Sequence, residues 1–176
     1  MAQYNIIDYV TIASTGNATD FGDRTVSGTS NQAIGACASS TRGVMGGGVT
    51  TNVMDYVTIA STGNAQDFGD LTAARYALTA AASLTRGVFF KGANVANTMD
   101  YITIASTGNA TDFGDDQQGP AGYQGACSNG TRATMGGGNG AVNIIAYITI
   151  ASTGDATDFG DLTVGRNTPA ALSGSA

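Results

Sequence analysis

DYVTIASTGNATDFGD occupies Asp8–Asp23. The chain writes it again as DYVTIASTGNAQDFGD at Asp55–Asp70, DYITIASTGNATDFGD at Asp100–Asp115 and AYITIASTGDATDFGD at Ala146–Asp161. Tyr9, Tyr56, Tyr101 and Tyr147 therefore recur at steps of 47, 45 and 46 residues. A fixed period in this range marks a solenoid, a propeller or another repeat array. Chemistry ordinarily needs one asymmetric set of groups, whereas this chain offers the same surface four times. The repetition favours one repeat domain over residues 1–176 and disfavours an enzyme.

Working outward from the third copy gives the whole unit. MDYITIAST (Met99–Thr107) alternates β-branched with small residues over the length of a strand. GNA is turn text, and TDFGD closes the unit with an aromatic, Phe113, between two aspartates. Upstream, Leu71–Ser83 is small and apolar, and TRGVFFKG (Thr85–Gly92) carries β-branched and aromatic residues with a glycine exit. TRGVMGGG (Thr41–Gly48) and TRATMGGG (Thr131–Gly138) match it. A triple glycine after a strand signals a sharp turn or a close backbone approach. No GxxxxGK[ST] supports a phosphate loop instead. Four short strands per unit predict an all-β fold built of propeller blades. A β-solenoid or fibre is the alternative with the same period.

Composition agrees. Charged residues make up 11% of the chain, all 13 acids are aspartate, and 26 residues are glycine. Glutamate is absent and lysine and leucine are few, while glycine, threonine, serine and asparagine abound, so strands and tight turns are expected. The net charge of −6 disfavours nucleic-acid binding through phosphate neutralisation. No apolar run approaches a membrane span, and no basic–apolar leader opens the sequence. Cys37 and Cys127 occupy matching points two periods apart, with Ala81 between them, and read as small buried hydrophobes rather than a disulfide. The glycosylation-type triplets at Asn17, Asn109 and Asn129 read as turns.

The order Arg42, Gly46–Gly48, Tyr56, Phe68, repeated as Arg132, Gly136–Gly138, Tyr147, Phe159, resembles a kelch repeat. Arg86, Tyr101 and Phe113 fit the middle unit, but Lys91 breaks its glycine run, and Phe stands where kelch repeats usually carry Trp. The resemblance implies a small β-propeller of about four blades. The wording is also similar to repeats in tail- or fibre-type structural proteins of marine bacteriophages. That likeness implies a virion or extracellular setting. Counting strands from the ends gives about fifteen, with three copies of the TRG strand. The expectation is either a closing blade shared by the two termini or an open edge that pairs with another copy.

Few residues qualify for chemistry. The pairs Asp20/Asp23, Asp67/Asp70, Asp112/Asp115 and Asp158/Asp161 could bind Ca²⁺ or act as a glycoside hydrolase's acids. Turn capping, or pairing with Arg42, Arg86 and Arg132, suits their fourfold repetition better. There is no histidine, and no base stands beside any serine. The repeat tyrosines read as packing. Tyr76, Tyr123, Gln124 and Asn129 lie in segments that vary between units, and such segments often form a binding face. The expected function is a non-enzymatic structural or recognition module, without cofactor or bound metal, for a glycan or host-surface receptor. Neither nucleic acid nor membrane is an expected partner, and homo-oligomerisation through open edges is.

Overall fold

The computed structural model describes residues 5–26, 33–93, 97–116 and 122–173. Among these, all regular structure is β: fourteen strands in four antiparallel sheets. Repeat 1 contributes β1 (Ile6–Tyr9) and β2 (Thr19–Asp23). Repeat 2 contributes β3 (Gly35–Ala38), β4 (Arg42–Gly46), β5 (Val53–Thr58) and β6 (Gln66–Asp70). Repeat 3 follows with β7 (Ala80–Ala82), β8 (Arg86–Phe89), β9 (Thr98–Thr103) and β10 (Thr111–Asp115). Repeat 4 has β11 (Gly125–Ser128), β12 (Arg132–Gly136), β13 (Val142–Thr149) and β14 (Thr157–Arg166). Each four-stranded sheet is a simple meander in chain order, and the sheets do not close on one another.

The DFGD text explains itself in the pairing. In every repeat the ladder slips by one residue at the phenylalanine: Asp8 faces Asp20 while Ile7 faces Gly22, and Met54/Asp55, Met99/Asp100 and Ile145/Ala146 repeat the pattern. Phe21, Phe68, Phe113 and Phe159 are thus the extra residues of β-bulges, whose backbone groups the ladder leaves unpaired. Each of these rings meets its repeat's tyrosine edge-on at 5.9–6.0 Å. Each tyrosine thus packs on the bulge phenylalanine of its own repeat.

Consecutive sheets stack face to face, and the core lies between them. One cluster joins repeats 2 and 3 through Val44, Met54, Phe68, Phe89, Ile102 and Ile104. A second joins repeats 3 and 4 through Val88, Phe90, Met99, Phe113, Met135 and Ile148. The short first strands β3, β7 and β11 abut in that order. Those strands are built mainly of alanine, glycine and serine, and β3 also approaches β8, where the Cys37 sulfur lies 2.5 Å from where a Cβ on Gly87 would stand. Cys37 is buried and its thiol is pushed up to about 12 by desolvation, whereas Cys127 is half-buried; both are free.

Two details depart from expectation. Only Ala80–Ala82 of the stretch Leu71–Ser83 is a strand. The preceding residues form a crossover that ends in a left-handed residue, Ala77, matched by Ala33, Tyr123 and Thr168 in the other units. The expected fifteenth strand, after β14, is not hydrogen-bonded as one within the described residues. Ser173 Oγ nevertheless donates to the Ser128 carbonyl, as Ser128 Oγ does to that of Ala82. The segment therefore lies in the register of a further first strand.

Candidate functional site

Most of the polar groups singled out in the sequence are used up in joints between repeats. The carbonyl freed by each bulge receives the turn of the next repeat: Gly63 N–H donates to Phe21, Gly108 N–H to Phe68 and Gly154 N–H to Phe113, each at 2.7 Å. Two residues on, Ala65, Ala110 and Ala156 donate to Asp23, Asp70 and Asp115. The Asn64, Asn109 and Asp155 side chains accept from the backbone N–H groups of those same aspartates. Approach is so close that a Cβ on Gly69 (φ +135°) or Gly114 (φ +138°) would lie 2.5 Å from the next repeat's backbone. STGNATDFGD is therefore both halves of one joint.

The repeat arginines lie across the same boundaries. Arg42, Arg86 and Arg132 stack on Tyr56, Tyr101 and Tyr147 at 4.2–4.5 Å. Arg42 donates to the Ile104 carbonyl and Arg86 to that of Ile150, each in the following repeat. Among the described residues they form no ion pair with the DFGD aspartates. Asp112 and Asp158 instead accept from the N–H two residues on, capping their own bulges. The capping expectation holds there, and the arginine-pairing one does not.

Buried ion pairs sit where the sequence reading placed none. Asp55 and Asp100, each the first residue of the repeated text, are wholly buried. Asp55 accepts from Arg24 Nε at 2.9 Å and from Thr25 Oγ1. Asp100 accepts from Arg75 Nη2 at 2.8 Å, from Thr72 Oγ1 at 2.7 Å and from Thr72 N–H. Burial lowers the Arg75 pKa, and the Asp100 charge opposes that shift. In both cases the tail of one repeat locks onto the head of the next. At the joint between repeats 3 and 4 the head residue is Ala146, and Asp116 stands in the tail. Asp116 pairs with Lys91 at 3.0 Å, inside repeat 3. Two departures visible in the sequence, Asp116 and Ala146, thus fall in one joint. That coincidence was the available signal.

The proposed binding residues do not share one site. Asn129 is exposed on the turn after β11, where its Oδ1 accepts from Thr131 and Arg132. Ser39 and Ser83 occupy the same turn in repeats 2 and 3 and accept in the same way. These three turns surround a funnel of about 950 Å³ whose lining carries no charged side chain and includes the exposed Leu84. Tyr123 and Gln124 lie at the other end of β11, about 17–20 Å from Asn129 by strand rise. They border a shallow depression of about 170 Å³. Gln124 is buried and donates to Asp116. Tyr76 is half-buried and pairs with Ala93 through its backbone, outside both openings. Residues 117–121, in the segment that leads to Tyr123, fall outside the described residues. Within the described residues no three His, Cys, Asp or Glu side chains gather as metal ligands would. No protein-family model and no curated protein matches this chain.

Proposed function

We propose that the chain is a non-enzymatic, propeller-type structural module whose axial funnel holds a neutral, polyhydroxylated ligand such as a surface glycan. The observation that carries this reading is the convergence of three equivalent turns, led by Ser39, Ser83 and Asn129, on one uncharged mouth. Hydroxyls and amides from successive repeats can meet a sugar's hydroxyls, and Leu84 offers an apolar surface to its ring face. Abutting first strands and meander sheets of this period support propeller-type packing. The kelch resemblance supports the same arrangement. The likeness to phage tail and fibre repeats supports work on a virion or host surface.

A glycan array tests the reading. The wild-type chain binds a neutral glycan, and Leu84→Asp, at a side chain 80% exposed and therefore free to change, abolishes that binding. Tyr123→Ala serves as the second arm. If it alone removes binding, the ligand sits at the opposite end of the inner strands. Failure of the wild-type protein to bind any glycan removes the recognition role.

A further inference from the structure

The two outermost faces of the array are the two halves of the joint described above. Phe68 and Phe113, covered by the next repeat, are each 2% exposed, while Phe159 is 53% exposed. Gly160 has the same backbone conformation as Gly69 and Gly114, but nothing lies within 4 Å of a Cβ built there. On the opposite face, Ile104 and Ile150 sit beneath the preceding repeat's arginine and are 1% exposed, while Ile12 is 97% exposed. Ala65 and Ala156 are buried in their joints, and Ala18 is exposed. Gly16 has no heavy atom within 4 Å of a built Cβ, as at Gly63, Gly108 and Gly154.

The charge lock is also present in both halves. LTVGR (Leu162–Arg166) matches LTAAR (Leu71–Arg75), the tail whose Thr72 and Arg75 hold Asp100. One backbone contact matches as well, although Leu162–Arg166 continues β14 whereas Leu71–Arg75 lies beyond β6. Gly138 N–H donates to the Arg166 carbonyl as Gly48 N–H does to that of Arg75. Asp8 stands at the position of Asp55 and Asp100 and is exposed, as is Arg166. The tail of repeat 4 thus carries a lock that Asp8 alone complements outside the joints already formed.

We infer that the trailing face of repeat 4 docks on the leading face of repeat 1 of a second copy of this chain. By equivalence with the internal joints, Gly16 N–H donates to the Phe159 carbonyl and Ala18 N–H to that of Asp161. Asn17 Oδ1 accepts from Asp161 N–H, and Arg132 donates to the Ile12 carbonyl. Thr163 and Arg166 close on Asp8. Such a contact is heterologous, so repeating it builds a closed ring or an open filament according to the rotation at each joint. The inference is independent of the glycan reading, because none of these groups lines the funnel.

Light scattering across micromolar to millimolar concentrations tests it. The wild-type chain is expected to form assemblies larger than 17.5 kDa. Asp8→Arg and Arg166→Asp are each expected to weaken association about a hundredfold, as for one partner of a buried charge pair. The combined reversal Asp8→Arg/Arg166→Asp is expected to restore association. Ala18→Arg, at an exposed site, blocks the joint sterically without touching the lock. A wild-type chain that stays at 17.5 kDa throughout, or assembly untouched by Asp8→Arg and Ala18→Arg, overturns the inference. So does a compact single-copy ring closed by the same contacts, seen as an Asp8–Arg166 proximity within one chain. Dispersed variants keep any glycan binding, which separates this failure from that of the recognition role.

Discussion

The joint between repeats 2 and 3 and the uncovered face of repeat 4 have nearly the same sequence and different physics. In the joint, Phe68 is buried, Gly69 touches backbone, and the neighbouring Arg75 meets Asp100 away from water. On repeat 4 the equivalent Phe159, Gly160 and Arg166 face solvent. Identical text therefore carries different weight, because the partner and not the residue fixes its contribution.

Paired substitutions sharpen that contrast. The largest difference is expected at the lock. Asp100→Ala leaves Arg75 buried without its carboxylate and lowers stability by about 3–5 kcal/mol. Asp8→Ala, measured by urea unfolding at low protein concentration, changes it by less than about 0.5 kcal/mol. Equal effects would show that Asp8 is already covered. Next comes the close approach. Gly114→Ala drives a Cβ into the Gly154 backbone and costs about 3 kcal/mol. Gly160→Ala pays only for positive φ and costs about 1 kcal/mol. A third contrast is read by thiol labelling rather than by unfolding. Cys37, packed on Gly87 and shifted to about 12, reacts with iodoacetamide at least about a hundredfold more slowly than Cys127. Comparable rates would mean that the joint opens readily.

The strands of the repeated text were legible because β-branched alternation and turn chemistry are local. The fourfold Tyr–Phe ring contact is likewise written locally, since both rings lie in the same copy of the repeated text. The crossover at Leu71–Thr79 was not legible as such. Its small apolar text reads as a strand, and only the burial of Arg75 and the left-handed turn at Ala77 pull it across to the next repeat. The ion pairs were hidden for a related reason. Arg24 and Asp55 are 31 residues apart, and nothing in either neighbourhood says which charge loses water. The binding residues divided because Tyr123 and Asn129 bracket a strand whose length separates them.

Lys91 and Asp116 give the array a fiducial mark. Three joints of equal geometry invite mis-threading during folding, with one repeat's tail landing on the wrong head. Ala146 refuses the tail of repeat 2, because Arg75 would be entombed there beside a methyl group. Lys91 meanwhile keeps Asp116 occupied within its own repeat. The odd joint thus removes one wrong pairing open to a nearly periodic chain, the tail of repeat 2 on the head of repeat 4.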